Sequence, residues 1–247
     1  MANKLTKTFL ASDHHLGHLG VCKFSNKEGT GKLRPWDDPI EMTEAIIANH
    51  NQVVGEADKT IFLGDVVINR RFLSEIGRMN GRKILVRGNH DIFKTKEYLP
   101  YFEEIYGCYP HGIFMLTHIP MHPGSLRTFL NLHGHTHDRK VLLADGRVDP
   151  RYKCACMEQI EYRPVSLSHF MPPFLRTPDD IKTYIFLLNS FPIFNHVTQV
   201  TSPLRGNFSK SREITERCYF DLHQELQEME VGQVKRLLHE IISQLLE

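Results

Sequence analysis

The sequence predicts an α/β fold, layered around a mixed sheet, over roughly its first two-thirds. Three observations predict it: apolar runs of strand length, amphipathic stretches of helical length alternating with the early runs, and strand-like runs alone thereafter.

Residues 8–11 read as the first strand. Residues 41–54 read as a helix, with Ile40, Ala45, Ile46, Ile47 and Val54 partly on one side. A strand over 60–63, a helix over 71–79 and a strand over 83–86 complete the alternating part. Later strands are expected at 113–117, 130–133, 141–143 and 152–156. Near Ser168 the character changes. The segment HFMPPFLRTPDD, with Pro164 just upstream, punctuates the chain and divides it into a domain over 1–168 and an extension over 169–247. The extension reads as mainly helical, with a helix over 179–189, a turn-rich stretch through Gly206 and a long helix over 213–246. In the last helix Leu222, Leu226, Met229, Leu237, Ile241 and Leu245 recur at helical spacing, as a face packed on the core or as the seam of a homodimer.

The chain has 247 residues, 41% of them hydrophobic and 24% charged, which suits a folded chain with a sizeable core and excludes a disordered one. Thirty Lys and Arg against 29 Asp and Glu leave a net charge of +1, so the total carries no basic surplus for gripping long duplex DNA. The basic run from Arg70 to Arg87 reads as a solvated face or as an attractor of anions near a cleft. Five scattered cysteines do not suggest a disulfide framework. Cys154 and Cys156 read as buried strand residues, against the alternative of half a zinc site. The N-terminus lacks the apolar stretch of a signal peptide, and no run approaches the roughly 18 apolar residues of a membrane span. A soluble protein of the cytoplasm, without a membrane partner, is the expectation.

Five segments concentrate His, Asp and Asn directly after predicted strands: Ser12-Asp13-His14-His15, Gly64-Asp65, Gly88-Asn89-His90-Asp91, Thr117-His118 and Gly134-His135-Thr136-His137. Loops at strand ends of open α/β sheets surround one crevice, so five such loops converge. In an extended segment residues two apart point the same way, which lets Asp13 and His15 reach one ion together and aims His135 and His137 into one space. Gly64 lets the backbone turn sharply before Asp65, whose carboxylate can supply one oxygen to each of two cations. Mixed imidazole, carboxylate and amide donors suit manganese, iron or zinc better than copper(I) or calcium.

As an ordered set, D-x-H, G-D, G-N-H-D, H and G-H-x-H resembles the calcineurin-like metallophosphoesterase family over roughly residues 8–168. SDHHLGH at the start, Arg34-Pro35-Trp36, the THIP from Thr117 and the closing Tyr162-Arg163-Pro164 are similar to a small bacterial and phage branch of it. The resemblance implies a layered α/β/α sandwich with two divalent metal ions at the strand ends. Carried over residue by residue, it implies that Asp13, His15 and His137 hold one ion. Asp65 bridges to the second, which Asn89, His118 and His135 complete. His90 resembles the family's non-ligand histidine that meets the scissile phosphate, and Asp91 the acid that orients it. His18 and Arg34 are read as contacts to substrate phosphate, against the alternative of solvated loop positions. Manganese is the expected ion, with iron, zinc, cobalt or magnesium as alternatives.

The activity so implied is a two-metal-dependent phosphoester hydrolase, with water activated between the ions as nucleophile and His90 as general acid. The expected partner is a small phosphorylated substrate, favouring (deoxy)nucleoside 5′-monophosphates, in a bacterial or phage-infected cytoplasm. The alternative is a phosphodiesterase, either a nuclease bound to nucleic acid or a cyclic-nucleotide hydrolase. A non-catalytic, metal-bound scaffold is the lesser alternative.

Overall fold

The structure, a computed structural model, describes residues 6–170 other than 113, 127 and 129. The extension from residue 171, with both expected helices and the dimer seam, lies outside the described residues. In chain order the strands are β1 (Thr8–Ala11), β2 (Lys59–Phe62), β3 (Arg82–Val86), β4 (Glu104–Tyr106), β5 (Tyr109–His111), β6 (Phe114–Leu116), β7 (Leu130–His133), β8 (Tyr152–Cys154) and β9 (Val165–Ser166). The α-helices are α1 (Leu19–Lys23), α2 (Pro39–Val53) and α3 (Thr95–Tyr98). The fold is mixed α/β, as the sequence predicts. No helix among the described residues is long and apolar enough to cross a membrane.

Instead of one mixed sheet there are two. The first has the order β4-β3-β2-β1-β9, with β1 to β4 parallel and β9 antiparallel at the edge. The second has the order β5-β6-β7-β8, with β6, β7 and β8 parallel and β5 antiparallel. A parallel bridge between Ser12 and Cys156 ties the end of β1 to the chain just past β8. The central strands are apolar on both faces: Phe9, Leu10 and Ala11, Ile61 and Phe62, and Ile84, Leu85 and Val86 are all buried. In parallel strands every C-terminal end lies on the same edge, so the loops after β1, β2 and β3 emerge together, as do those after β6 and β7.

Helix α2 begins where its chemistry allows: Asp38 accepts a hydrogen bond from the Ile40 N–H at 2.7 Å, and Pro39 occupies the first turn. Its buried face includes Met42, Ile46, Ile47 and His50. The His50 ring stacks on Phe62 of β2 at 5.9 Å and hydrogen-bonds the Asn80 carbonyl at 3.1 Å.

Two elements differ from expectation. Residues 70–78 form a 3₁₀ helix (Arg70–Arg78) and not an α-helix. Leu73 and Ile76, which it buries, and the buried Met79 at its C-terminal cap recur every three positions, which is the 3₁₀ period. The strand expected over 141–143 is reduced to a lone bridge between Leu142 and Val148 around a turn at Gly146. Leu142 and Val148 are both more than half exposed, so no layer among the described residues covers this apolar run. Elements of three to five residues, such as α1, α3, β4 and β5, are too short to show a period in the sequence.

Burial, partly offset by the Asn80 carbonyl, lowers the His50 imidazole to about 4, so the folded ring is neutral while an unfolded one titrates near 6.5. A depressed histidine contributes stability that is complete above pH 6.5 and is lost as pH falls towards 4, by up to about 1.4 kcal/mol per pH unit. In urea titrations between pH 6.5 and 4.5, His50→Gln is expected to flatten this slope; an unchanged slope would contradict the assignment.

Candidate metal centre

Each motif acid or histidine follows the C-terminal end of a parallel strand: Asp13 and His15 after β1, Asp65 after β2, Asn89 and His90 after β3, His118 after β6, and His135 and His137 after β7. The backbone there is not extended. Asp13, His15, Asp65, His135 and His137 all have positive φ, between 51° and 69°. The expectation that D-x-H and H-x-H are extended pairs is therefore corrected: repeated left-handed residues, not strand alternation, turn these side chains inward. Left-handed non-glycine residues cost about 1–3 kcal/mol each and cluster where function over-determines them. Gly64 is also left-handed, at φ 91°, and a Cβ there would lie 2.6 Å from the Gly88 nitrogen and 2.7 Å from the His118 ring. A Cβ on Gly134 would meet the Ser12 hydroxyl at 2.0 Å, so glycine is required for this close approach.

The loops gather two donor groups. Asp13, His15 and His137 form one, and Asp65, His118 and His135 the other; within each, one donor atom per residue lies within 4.8 Å of the others. Asp13 Oδ2 accepts hydrogen bonds from the Ser12 hydroxyl (2.6 Å), the His135 N–H (2.8 Å) and the Cys156 thiol (3.1 Å). Its Oδ1 is buried with no hydrogen-bond partner, 3.6 Å from His15 Nε2 and 3.8 Å from His137 Nε2. A buried carboxylate oxygen left unsatisfied between two imidazole nitrogens fits a cation as its missing partner.

Asp65 lies between the groups. Its Oδ2 is 3.8 Å from His15 Nε2 and 3.2 Å from His118 Nε2. The sharing runs through this one oxygen and not one oxygen for each group, because Oδ1 is held by the His90 N–H at 2.8 Å. His118 points Nδ1 at the Leu63 carbonyl (2.8 Å), which leaves Nε2 facing Asp65 and the Asn89 carbonyl oxygen (2.9 Å). The Asn89 carbonyl oxygen thus stands beside the second group. Burial disfavours charge on His118, but its bond to Asp65 and the nearby Asp13 outweigh this and lift the imidazole to about 9. Burial likewise opposes charge on Asp13, yet His15, His118 and His137 together hold it below the usual carboxylate range. The imidazole and carboxylate donors, with one amide, fit two borderline divalent ions, the first on Asp13, His15 and His137 and the second on Asn89, His118 and His135, with Asp65 common to both.

The chain is 34% identical over 177 residues to the uncharacterized protein MJ1445 of Methanocaldococcus jannaschii, across 66% of this chain and 88% of the archaeal one. The chain belongs to that protein's family. A solved structure, the protein of unknown function AQ665 from Aquifex aeolicus, is 25% identical, with a TM-score of 0.48, over 66% of this chain and 96% of that one. No family model matches the chain.

In this member of the family the donor groups rest on a supporting layer of residues that the sequence reading only partly found. Arg34, expected to contact substrate, is 1% exposed and points inward. Its Nε donates to Glu158 Oε1 at 2.7 Å, and its remaining nitrogens donate to the Asp13 and His14 carbonyls. It therefore holds the loop after β1 and is not positioned for a soluble ligand. Asp91, expected to orient His90, instead accepts from the backbone N–H groups of Asp65 (2.9 Å), Val66 (3.0 Å) and Gly88 (2.8 Å). Both its oxygens are engaged, so it fixes the loops after β2 and β3 against each other. His90 is half-buried beside His15, with ring centroids 5.5 Å apart. His18 stands next in the same row, 5.5 Å from His15, at the rim.

Glu158 was not singled out in the sequence. It accepts from His137 Nδ1 at 3.0 Å as well as from Arg34, and so turns His137 Nε2 towards Asp13. A lone acid beyond a C-x-C pair offers no signal of this. Cys154 and Cys156 are buried strand-end residues, as read, but Cys156 also supports Asp13.

Replacing Arg34 by methionine would leave Glu158, itself 4% exposed, as a buried charge without its guanidinium, and the Asp13 and His14 carbonyls without their donor. Arg34→Met is expected to lower unfolding stability by about 3–5 kcal/mol in urea titrations, and a loss below about 1 kcal/mol would contradict the buried-pair account.

Proposed function

We propose that this chain is a divalent-metal-dependent phosphoester hydrolase acting on small phosphomonoesters, with manganese as the working ion at both positions. The observation that carries the reading is the pair of donor groups sharing Asp65 Oδ2, with His90 placed beside them but outside both. Paired cation sites of this kind suit in-line displacement at phosphorus, where charge neutralisation and positioning dominate the chemistry. The ordered motifs support the same reading through their resemblance to the calcineurin-like metallophosphoesterases, as does the α/β frame for the layered sandwich of that family. One histidine of each donor group lines a cleft of about 530 Å³, and a space of that size favours a small substrate over a long duplex.

Cations bound there would supply Lewis acidity and neutralise charge on the phosphoryl oxygens. The chain's own residues do the rest. Asp13, His15, Asp65, Asn89, His118, His135 and His137 would hold the ions. Glu158, Arg34, Ser12 and Cys156 keep Asp13 and His137 in place. In the hydrolysis a water oxygen bonds to phosphorus and loses a proton to solvent, while the ester P–O bond breaks and leaves its electron pair on the departing oxygen. His90, its backbone fixed to Asp65 and its ring half-exposed, gives the leaving oxygen a proton.

The test is phosphate release from nucleoside and deoxynucleoside 5′-monophosphates with added manganese, beside bis(p-nitrophenyl) phosphate and single-stranded DNA. Release from the monophosphates, abolished by a chelator, is the expected result; cleavage of the diester or DNA alone would move the chain to the phosphodiesterases. His90→Ala is expected to keep its metal content and lose about 10²–10⁴-fold in turnover, and unchanged turnover would remove His90 from the chemistry.

A further inference from the structure

A cleft of about 530 Å³ borders the donor groups at two histidines, lined by Phe24, Lys27, Leu33, His135, His137 and Arg139. One histidine from each donor group stands in its wall. An ester whose phosphate lies on those groups therefore has this space for the part that leaves. The walls are two loops, one following α1 and one following β7, and the Lys27 N–H donates to Asp138 Oδ2 across them at 2.6 Å.

The lining is chemically divided. Phe24 is 50% exposed although aromatic, and its ring stands edge-on to His18 at 6.2 Å and 88°. With Leu33 it offers an apolar surface for a flat ring. Arg139 is exposed and makes no side-chain hydrogen bond or ion pair among the described residues. Lys27 reaches the exposed Glu28 at 3.9 Å. Asp138, also in the lining, accepts from the Lys27 backbone and keeps its charge, so Arg139 is the cation of this lining that no side chain among the described residues engages. A planar apolar wall and a guanidinium with its donors unengaged call for an aromatic ring joined to a further anion.

We propose that the cleft is the leaving-group site and that it takes a nucleoside bearing a second phosphate, remote from the one removed. The substrate is then a nucleoside bisphosphate, with the base on Phe24 and Leu33 and the retained phosphate on Arg139 and Lys27. The proposal rests on the phosphoester reading for which phosphate is removed. The binding of the leaving group does not depend on it.

That separation makes both testable. Adenosine 3′-monophosphate is the product expected from adenosine 3′,5′-bisphosphate, and its binding to the full-length, chelator-treated protein can be followed by NMR titration. Phe24→Ala is expected to weaken it by about fivefold or more through lost stacking. Arg139→Met is expected to weaken it by about tenfold, while leaving adenosine itself unaffected. With manganese added, Arg139→Met should lower kcat/KM on the bisphosphate by about tenfold and leave adenosine 5′-monophosphate unchanged. If the nucleotide does not bind, or binds both variants as tightly as the wild type, the leaving-group site is overturned, even where ester hydrolysis persists. If the nucleotide binds with this residue dependence but no ester is hydrolysed, the site stands and the hydrolase reading falls.

Discussion

A single carboxylate, Asp13, ties the two sheets together at the place where the site forms. Its Oδ2 collects hydrogen bonds from its neighbour Ser12, from the loop after β7 and from Cys156 past β8. The chain at Ser12 also pairs with Cys156 and accepts the Met157 N–H at 3.1 Å. The oxygen not used for this, Oδ1, is the one that faces His15 and His137. One oxygen thus builds the fold and the other builds the site, so strain in either is felt by both. A buried carboxylate with one oxygen unpartnered is unfavourable by itself, and it persists because three separate segments hold the other.

The same division recurs around Asp13. Asp65 gives Oδ1 to the His90 backbone and keeps Oδ2 between the two donor groups. Glu158 gives Oε1 to both Arg34 and His137. Asp91 gives both oxygens to backbone N–H groups and none to the site. The acids thus form a graded series from purely supporting to mostly donating. Five left-handed residues hold the donors in this arrangement, at a backbone cost that packing at the strand ends must offset.

Much of this was legible in the sequence, for identifiable reasons. Strands such as β1, β2 and β3 are buried on both faces, and that leaves short apolar runs in the sequence. The donors carry ionisable side chains directly after those runs, so their convergence followed from strand order. The division into two sheets was not legible, because β4 and β5 are three residues each and no pattern marks where the chain leaves one sheet for the other. Nor were the supporting roles. Arg34 and Asp91 look like solvent-facing charges in a loop, and their burial depends on partners, Glu158 and the loop after β2, that lie far away in the chain. The left-handed backbone at D-x-H and H-x-H was hidden for a related reason: residue type permits it at Asp and His, but tertiary packing imposes it.

The central claim is that the two donor groups form one paired cation centre joined by Asp65. Anomalous diffraction from manganese-soaked crystals of the full chain tests it most directly. The account predicts two manganese peaks about 3.5–4 Å apart, one against Asp13, His15 and His137 and the other against Asn89, His118 and His135, both touching Asp65. A single peak, or two peaks with Asp65 touching one alone, would contradict it.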